Sequence, residues 1–76
     1  MASRLTLKYD KVGDILYIEN CPAYAEQDSD ELGDQVIGRM NPETGQVESL
    51  EILFFSRRLR DGVCELPVTA EMYPAQ

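Results

Sequence analysis

The chain contains no histidine, no tryptophan, only two cysteines, and seven basic residues against fourteen acidic ones in 76. Without histidine it lacks the commonest general base and the usual partner of a nucleophilic serine or cysteine. Two cysteines alone supply half of the ligands that a tetrahedral zinc site needs. We therefore expect no enzymatic activity and no cofactor.

The shortage of basic residues gives a net charge of −7 and an isoelectric point near 4.3. Such a surface repels nucleic-acid phosphates and anionic lipid headgroups, since binding to either depends on lysine and arginine. No apolar run approaches the roughly 18 residues of a membrane span, and residues 1–7 do not resemble a signal peptide. We expect a cytoplasmic protein with no DNA or membrane partner, and with Cys21 and Cys64 as free thiols.

The length of 76 residues predicts one domain, residues 1–76, with a small core. A domain of this size buries only about 60% of the surface of its unfolded chain. A partner protein or a second copy of the chain would therefore add useful stability.

A hairpin is predicted near the N-terminus. Apolar and polar residues alternate over residues 5–9, and residues 15–19 (ILYIE) are rich in β-branched and aromatic side chains. The intervening residues 10–14 contain turn-forming aspartate and glycine. We expect Asp10 to cap this turn and Gly13 to adopt a positive φ.

An acidic segment, residues 26–34, follows this hairpin and contains no basic residue. Its carboxylates belong to Glu26, Asp28, Asp30, Glu31 and Asp34. Such a segment is typical of a solvated loop or a sheet edge. Residues 35–40 predict a third strand, in which Gly38 marks a bulge or a place where another backbone comes close. Residues 41–45 predict a turn with Gly45 left-handed.

A fourth strand is predicted over residues 47–52. Its apolar positions break strict alternation by one residue, which a bulge at Glu48 or Ser49 would repair. The third and fourth strands then form a second hairpin. The fold class is thus α+β, a small antiparallel sheet of two hairpins with one short helix.

The helix is predicted over residues 53–60, where apolar side chains recur at spacings of three and four. It is short, so its stability depends on packing Phe55 and Leu59 against the sheet. Residues 63–72 are consistent with a fifth, C-terminal edge strand, which Pro67 would confine to the periphery.

Two groups of residues in this order resemble the pattern of a short bacterial family, the domain-of-unknown-function family 2283. The first is Tyr9, Asp10, Asp14 and Leu16–Ile18, and the second is Glu51–Leu53, Ser56, Arg58 and Leu59. The resemblance covers residues 5–60, and residues 61–76 extend beyond it. It implies an antiparallel sheet with one short helix. Some members are thought to be encoded beside ribonuclease-like toxins, so it also implies a role as a neutralising partner.

Carboxylates are the only general acid or base groups that the sequence offers without strong pKa tuning. Asp10 and Asp14 would approach each other across the predicted turn, where they would share a proton, hold a divalent ion, or cap backbone amides. Capping requires nothing further from the chain and is the preferred interpretation. The acidic segment does not have the ligand spacing of an EF-hand, since Leu32 and Arg39 occupy two ligand positions.

Arg57, Arg58 and Arg60 form the only basic cluster, beside three consecutive apolar residues, Leu53 to Phe55. A short helix cannot direct all three into one core. Phe54 would therefore be exposed as an interface anchor, which is the preferred interpretation, or would pack under the C-terminal segment. The arginines would contact RNA or, preferably, stabilise the helix C-terminus and pair with nearby carboxylates.

We therefore predict a non-enzymatic protein-interaction module that forms a homodimer or binds a basic protein. The residues predicted to contact the partner are Phe54, Arg57, Arg58, Asp28, Asp30 and Glu31. Two alternatives stay open at this point. One is a carboxylate-based, metal-dependent hydrolase or weak divalent-cation binder, and the other is an RNA-binding module.

Overall fold

A computed structural model describes residues 4–75 as a five-stranded antiparallel sheet followed by one turn of helix. The order across the sheet is β1-β2-β5-β4-β3, so β1 and β3 form its two edges. The elements are β1 (Thr6–Asp10), β2 (Ile15–Glu19), β3 (Asp28–Gly33), β4 (Val36–Met40), β5 (Val47–Leu53) and α1 (Phe55–Arg58). The described part of the chain has no helix long and apolar enough to cross a membrane.

Both predicted hairpins are confirmed as β1–β2 and β4–β5, and pairing of β2 with β5 joins them into one sheet. The prediction of four strands with a fifth as an option agrees with the sheet, but the position predicted for the fifth is wrong. It is β3, in the acidic segment, whereas residues 63–72 form no strand. An edge strand can carry polar, exposed side chains on both faces. It then lacks the alternation of apolar and polar residues by which a strand is recognised, so hydropathy alone does not reveal β3.

The core lies on one face of the sheet, which we call the core face. Val36, Leu50 and Ile52 are its buried residues, and Ile52 is opposite Val36 on β4 and Leu16 on β2. Partly buried side chains pack around them, including two from the C-terminal segment: Leu16, Ile18, Leu32, Val47, Phe55, Leu66 and Val68. Thus α1 and the C-terminal segment cover this face without adding a strand.

The helix is shorter than predicted because β5 continues through Leu53 and Phe54 then adopts the left-handed conformation, with φ of 54°. Helical geometry can start only at Phe55, which packs against the core as predicted. Leu59, however, is exposed, so the prediction that it packs on the sheet is wrong. One turn of helix does not extend far enough to bring both side chains to the core.

The predicted bulge in β5 is confirmed at Glu48. Arg39 pairs with Ser49 and Met40 with Val47, so Glu48 has no opposite residue. Gly38 is approached closely by a side chain and not by the backbone predicted there, since a Cβ would overlap the side chain of Leu32. Gly45 has a φ of 75°, as predicted, and both cysteines are free.

Candidate functional site

Residues of the family pattern meet where the β1–β2 turn contacts α1. The Oδ1 atom of Asp14 accepts hydrogen bonds from the Tyr9 hydroxyl at 2.6 Å and from the Ser56 backbone N–H at 3.0 Å. Its Oδ2 atom accepts a 2.7 Å hydrogen bond from the Ser56 hydroxyl, and its carbonyl accepts one from the Phe55 N–H at 3.0 Å. Asp14 therefore caps α1 across 42 residues of sequence, a role that the Phe54 side chain does not fill.

This arrangement, the Asp14 cluster, stabilises an ionised carboxylate. The hydrogen bonds from Tyr9 and then Ser56 lower the pKa of Asp14, and the bond to Asp14 raises the pKa of Tyr9. The ring of Tyr9 meets that of Phe55 edge to face, with 6.0 Å between centroids. The cluster joins a turn, a strand and a helix start, and it occupies both carboxylate oxygens of Asp14.

Asp10 caps the turn as predicted, with its Oδ1 accepting from the N–H groups of Val12 at 3.0 Å and Gly13 at 3.2 Å. The prediction of a positive φ at Gly13 is wrong, because Asp14 has the left-handed φ of 55°. Aspartate tolerates this conformation better than most residues. The carboxylate of Asp10 thus caps the β1–β2 turn, whereas that of Asp14 caps α1. Within residues 4–75 no three histidine, cysteine or acidic side chains are grouped to hold a metal ion.

A second polar cluster surrounds the bulge and was not predicted. The Oε1 atom of Glu48 accepts hydrogen bonds from the Tyr24 hydroxyl at 2.5 Å and from Gln27 Nε2 at 2.9 Å. Its Oε2 atom accepts a longer one from Asn41 Nδ2 at 3.4 Å, and its carbonyl accepts from the Asn20 N–H at 2.9 Å. Glu48 therefore ties the segment between β2 and β3 to the sheet.

Glu48 also controls the ionisation of its neighbours. The hydrogen bond to Glu48 raises the pKa of Tyr24 to about 12, and hydrogen bonds from Tyr24 and Gln27 lower the pKa of Glu48. Burial, and then the Glu48 charge, raise the pKa of the Cys21 thiol. The predicted bulge was the one sequence signal for this cluster, since a bulge projects a side chain away from the regular ladder.

The acidic residues predicted to contact a partner lie on the outer edge of the sheet. Asp28, Asp30 and Glu31 are exposed on β3, with Asp28 and Asp30 on the core side and Glu31 on the opposite side. Glu31 Oε2 accepts a 3.2 Å hydrogen bond from the Gln35 N–H, so Glu31 also supports the β3–β4 turn. Asp30 Oδ1 likewise accepts a 2.9 Å hydrogen bond from the Glu31 N–H, and the exposed side chains of Asp28 and Asp30 lie on the same side of this edge.

A shallow depression lies beside this edge on the face opposite the core. Its apolar lining residues are Ile37 and Leu53, and its polar lining residues are Ser29, Asp30, Glu31 and Gln35. An extended segment placed along β3 would therefore find apolar as well as charged contacts.

Phe54 is exposed as predicted, with 41% of its surface accessible. The Arg57 guanidinium lies 5.3 Å from its ring centroid, and Arg58 Nε donates to the Leu53 carbonyl at 3.4 Å. Phe54 follows β5, whereas the acidic residues lie on β3, and two strand spacings of about 10 Å in total separate these elements. The predicted partner-binding residues thus form two surfaces, the acidic edge and the Phe54 surface of Phe54, Arg57 and Arg58.

The ion pairs differ from those predicted. Over residues 4–75 they are Lys8–Glu19 at 2.8 Å and Arg39–Glu51 at 2.7 Å, both on the face opposite the core. Neither includes an arginine of the cluster after β5, so the predicted pairing with carboxylates is not a close ion pair. The Arg57 charge acts at longer range, since after the hydrogen bonds from Tyr9 and Ser56 it also helps to lower the pKa of Asp14. Arg57 uses an aromatic ring and Arg58 a backbone carbonyl instead.

A family model described as "Protein of unknown function (DUF2283)" matches residues 6–56. No curated protein and no solved structure matches the chain. The matched region contains all five strands and ends at Ser56, the residue that binds Asp14. The C-terminal segment that supplies Leu66 and Val68 to the core lies outside the match.

Proposed function

The chain belongs to the DUF2283 family of proteins of unknown function, and we propose that it is a non-enzymatic module that binds other proteins. The observation that carries the proposal is the acidic edge: β3 closes one side of the sheet, and its exposed carboxylates line that edge. Such an edge is suited to a basic, extended segment of a partner protein.

Strand addition is the binding mode that fits this edge. The outer backbone N–H and C=O groups of an edge strand pair with an incoming strand, while alternate side chains set specificity. Lysine or arginine side chains on the core side of the added strand would face Asp28 and Asp30. A side chain on the other face of the added strand would lie beside Ser29 and Glu31, which line the depression on that side.

The charge of the whole molecule supports the same class of partner. A net charge of −7 attracts a basic protein over several ångströms and raises the association rate, chiefly at low salt. A second copy of the chain is the other partner within this proposal, but it would have to avoid the acidic edge because like charges oppose there.

The alternatives have less support. A hydrolase based on Asp10 and Asp14 would need free carboxylate oxygens, but both oxygens of Asp14 already accept hydrogen bonds. An RNA-binding module would need free arginines, but Arg57 stacks on Phe54 and Arg58 donates to a backbone carbonyl.

The acidic edge is tested by adding a short synthetic peptide of alternating lysine and valine to ¹⁵N-labelled protein. We expect the largest amide shifts along β3, and weaker binding by the double variant Asp28→Asn, Asp30→Asn. The matched control is Glu43→Asn with Asp61→Asn, which removes two exposed carboxylates elsewhere. Equal binding by both double variants, or equal binding of a glutamate–valine peptide, would contradict the proposal.

Phe54 is tested separately as the anchor of the second surface. Phe54→Asp should abolish binding of any partner that contacts this surface, and Phe54→Asn is its matched control for charge. Aspartate and asparagine both tolerate the left-handed conformation of residue 54, so both variants should fold. If capture of a basic partner is unchanged in both variants, the anchor role of Phe54 is excluded.

A further inference from the structure

The opposite edge of the sheet, β1, is not acidic. β1 pairs with β2 on its inner side, and in the described chain no strand lies on its outer side. Alternate residues of an antiparallel strand direct their N–H and C=O groups away from the neighbour, so this edge presents unpaired backbone groups. The lysine of β1, Lys8, lies on the face opposite the core, 2.8 Å from Glu19 of β2.

An apolar row lies along the same edge. Leu7 and Tyr9 are opposite Ile18 and Leu16 of β2, which places both on the core face. Leu5 continues the same alternation just before β1. The three side chains are 54% (Leu5), 61% (Leu7) and 44% (Tyr9) exposed, so the core layer ends in accessible apolar surface.

We propose that a second copy of the chain pairs with this edge, β1 against β1 and antiparallel, with the two-fold axis through Leu7. This inference rests on the proposed function and names one partner for it. The two five-stranded sheets would form one continuous sheet with both cores on the same face.

The alternation of side chains restricts the register. A two-fold axis perpendicular to the sheet keeps the core faces together, so opposite residues must point to the same side. The axis must then lie where one residue is opposite its own copy, and not midway between two successive residues. The candidates at the centre of the edge are Thr6, Leu7 and Lys8.

Charge selects among these three registers. An axis at Thr6 places Arg4 opposite Lys8 of the other copy. An axis at Lys8 places the two copies of Lys8 opposite each other. Both registers bring like charges together, which is unfavourable. An axis at Leu7 places Arg4 opposite Asp10, Leu5 opposite Tyr9, and Leu7 opposite itself. Only this register combines opposite charges with apolar pairs.

The other edge disfavours self-association, because Asp28, Asp30 and Glu31 of β3 would face a second set of carboxylates. A single pair of strands buries less surface than a standard interface of about 1,600 Å². We therefore expect a reversible dimer that dissociates in the micromolar range and is not obligate for folding.

Sedimentation equilibrium over a wide concentration range measures this association. Leu7→Lys places two like charges at the axis and should raise the dissociation constant by about tenfold or more. Val12→Lys is the matched control, because Val12 is fully exposed in the β1–β2 turn and receives the same charge. A chain that stays monomeric, or a dimer that Leu7→Lys leaves unchanged, overturns the proposal.

Cross-linking tests the register in a chain that also carries Cys21→Ser and Cys64→Ser. Directly opposite residues have Cα atoms about 4.5–5.5 Å apart, within the about 4.4–6.8 Å that a disulfide spans. Leu7→Cys should therefore cross-link to its copy, whereas two Leu5→Cys residues would lie about 13 Å apart along the strands and should not. Cross-linking of Lys8→Cys without that of Leu7→Cys would overturn the register.

The lysine–valine peptide, added to the same samples, separates this inference from the proposed function. A monomer that still binds the peptide along β3 overturns the dimer and leaves the binding module intact. A dimer that ignores the peptide supports the β1 interface and contradicts a basic partner at β3.

Discussion

Gly38 offers the sharpest test of the packing. Gly38→Ala adds one methyl group, and we expect it to destabilise the protein when residue 32 is leucine and to stabilise it when residue 32 is alanine. Gly38 lies in β4 opposite the buried Leu50 of β5. A Cβ at this position would overlap Leu32 Cδ1 and lie 2.8 Å from Leu32 Cγ. Since Cγ is the branch point of the side chain, rotating Cδ1 away does not relieve the contact.

Two opposing effects set the magnitude of Gly38→Ala. Replacing a glycine within a strand by alanine stabilises by about 0.5–1 kcal/mol when space allows. Overpacking a filled site costs about 1–3 kcal/mol. Leu32 packs against the core and cannot move without losing that contact. We therefore expect a net loss in the free energy of unfolding of about 1–2 kcal/mol.

The reversal is measured by urea unfolding in a double-mutant cycle. In a Leu32→Ala background the overlapping Leu32 atoms are absent, and the remaining close atom is Met40 Sδ at 3.1 Å, on a flexible side chain that can shift. Gly38→Ala should then stabilise by about 0.5–1 kcal/mol. Gly45→Ala is the control, because Gly45 has a φ of 75° with open space around it and should destabilise equally in both backgrounds. A Gly38→Ala effect of the same sign and size in both backgrounds would refute the packing that we describe.

Three further predictions concern the core and the two polar clusters. Ile52→Val should lower the free energy of unfolding by about 0.5–1.5 kcal/mol and Ile52→Ala by about 2–5, as measured by urea unfolding, because Ile52 is fully buried. The hydrogen bonds from Tyr9 and Ser56 lower the pKa of folded Asp14, so the stabilisation that they give is present above the unfolded pKa and is lost as pH falls through the folded one. Asp14→Asn should flatten the acid limb of the free energy of unfolding against pH, and Asp61→Asn, which removes an exposed carboxylate elsewhere, is the variant for comparison. In an absorbance titration of the tyrosines, Tyr24→Phe should remove the component with a pKa of about 12, and Glu48→Gln should move that component to lower pH.

The two hairpins were predictable because their strands are bounded by strong turn residues and have an apolar face. The bulge at Glu48 was also predictable, since it is visible as a one-residue slip of alternation between Val47 and Leu50. The acidic edge strand was not identified as a strand, because its side chains are solvated and its pairing depends on β4 rather than on its own hydropathy.

The candidate site was less predictable than the fold. Asp14 and Ser56 both belong to the family pattern, but 42 residues separate them and no local rule connects them. Their contact depends on β2 pairing with β5, which places the start of β2 beside the end of β5. Only that long-range pairing shows that Asp14 caps a distant helix rather than its own turn.

The different charges of the two edges of the sheet are compatible with the dimer that we propose, although the chain is acidic. The net charge of −7 would oppose any dimer if it were spread evenly, but part of it lies on β3, the edge farthest from β1. Repulsion between two copies joined through β1 is therefore weakened by distance and by salt screening, which is strong beyond about 10 Å at 0.1 M salt. The same carboxylates on β3 prevent a second copy from adding there, and would prevent a dimer from growing into a longer sheet. In the arrangement that we propose, the apolar edge would thus form a closed dimer, and the acidic edges at its two ends would keep both proposed sites for basic partners.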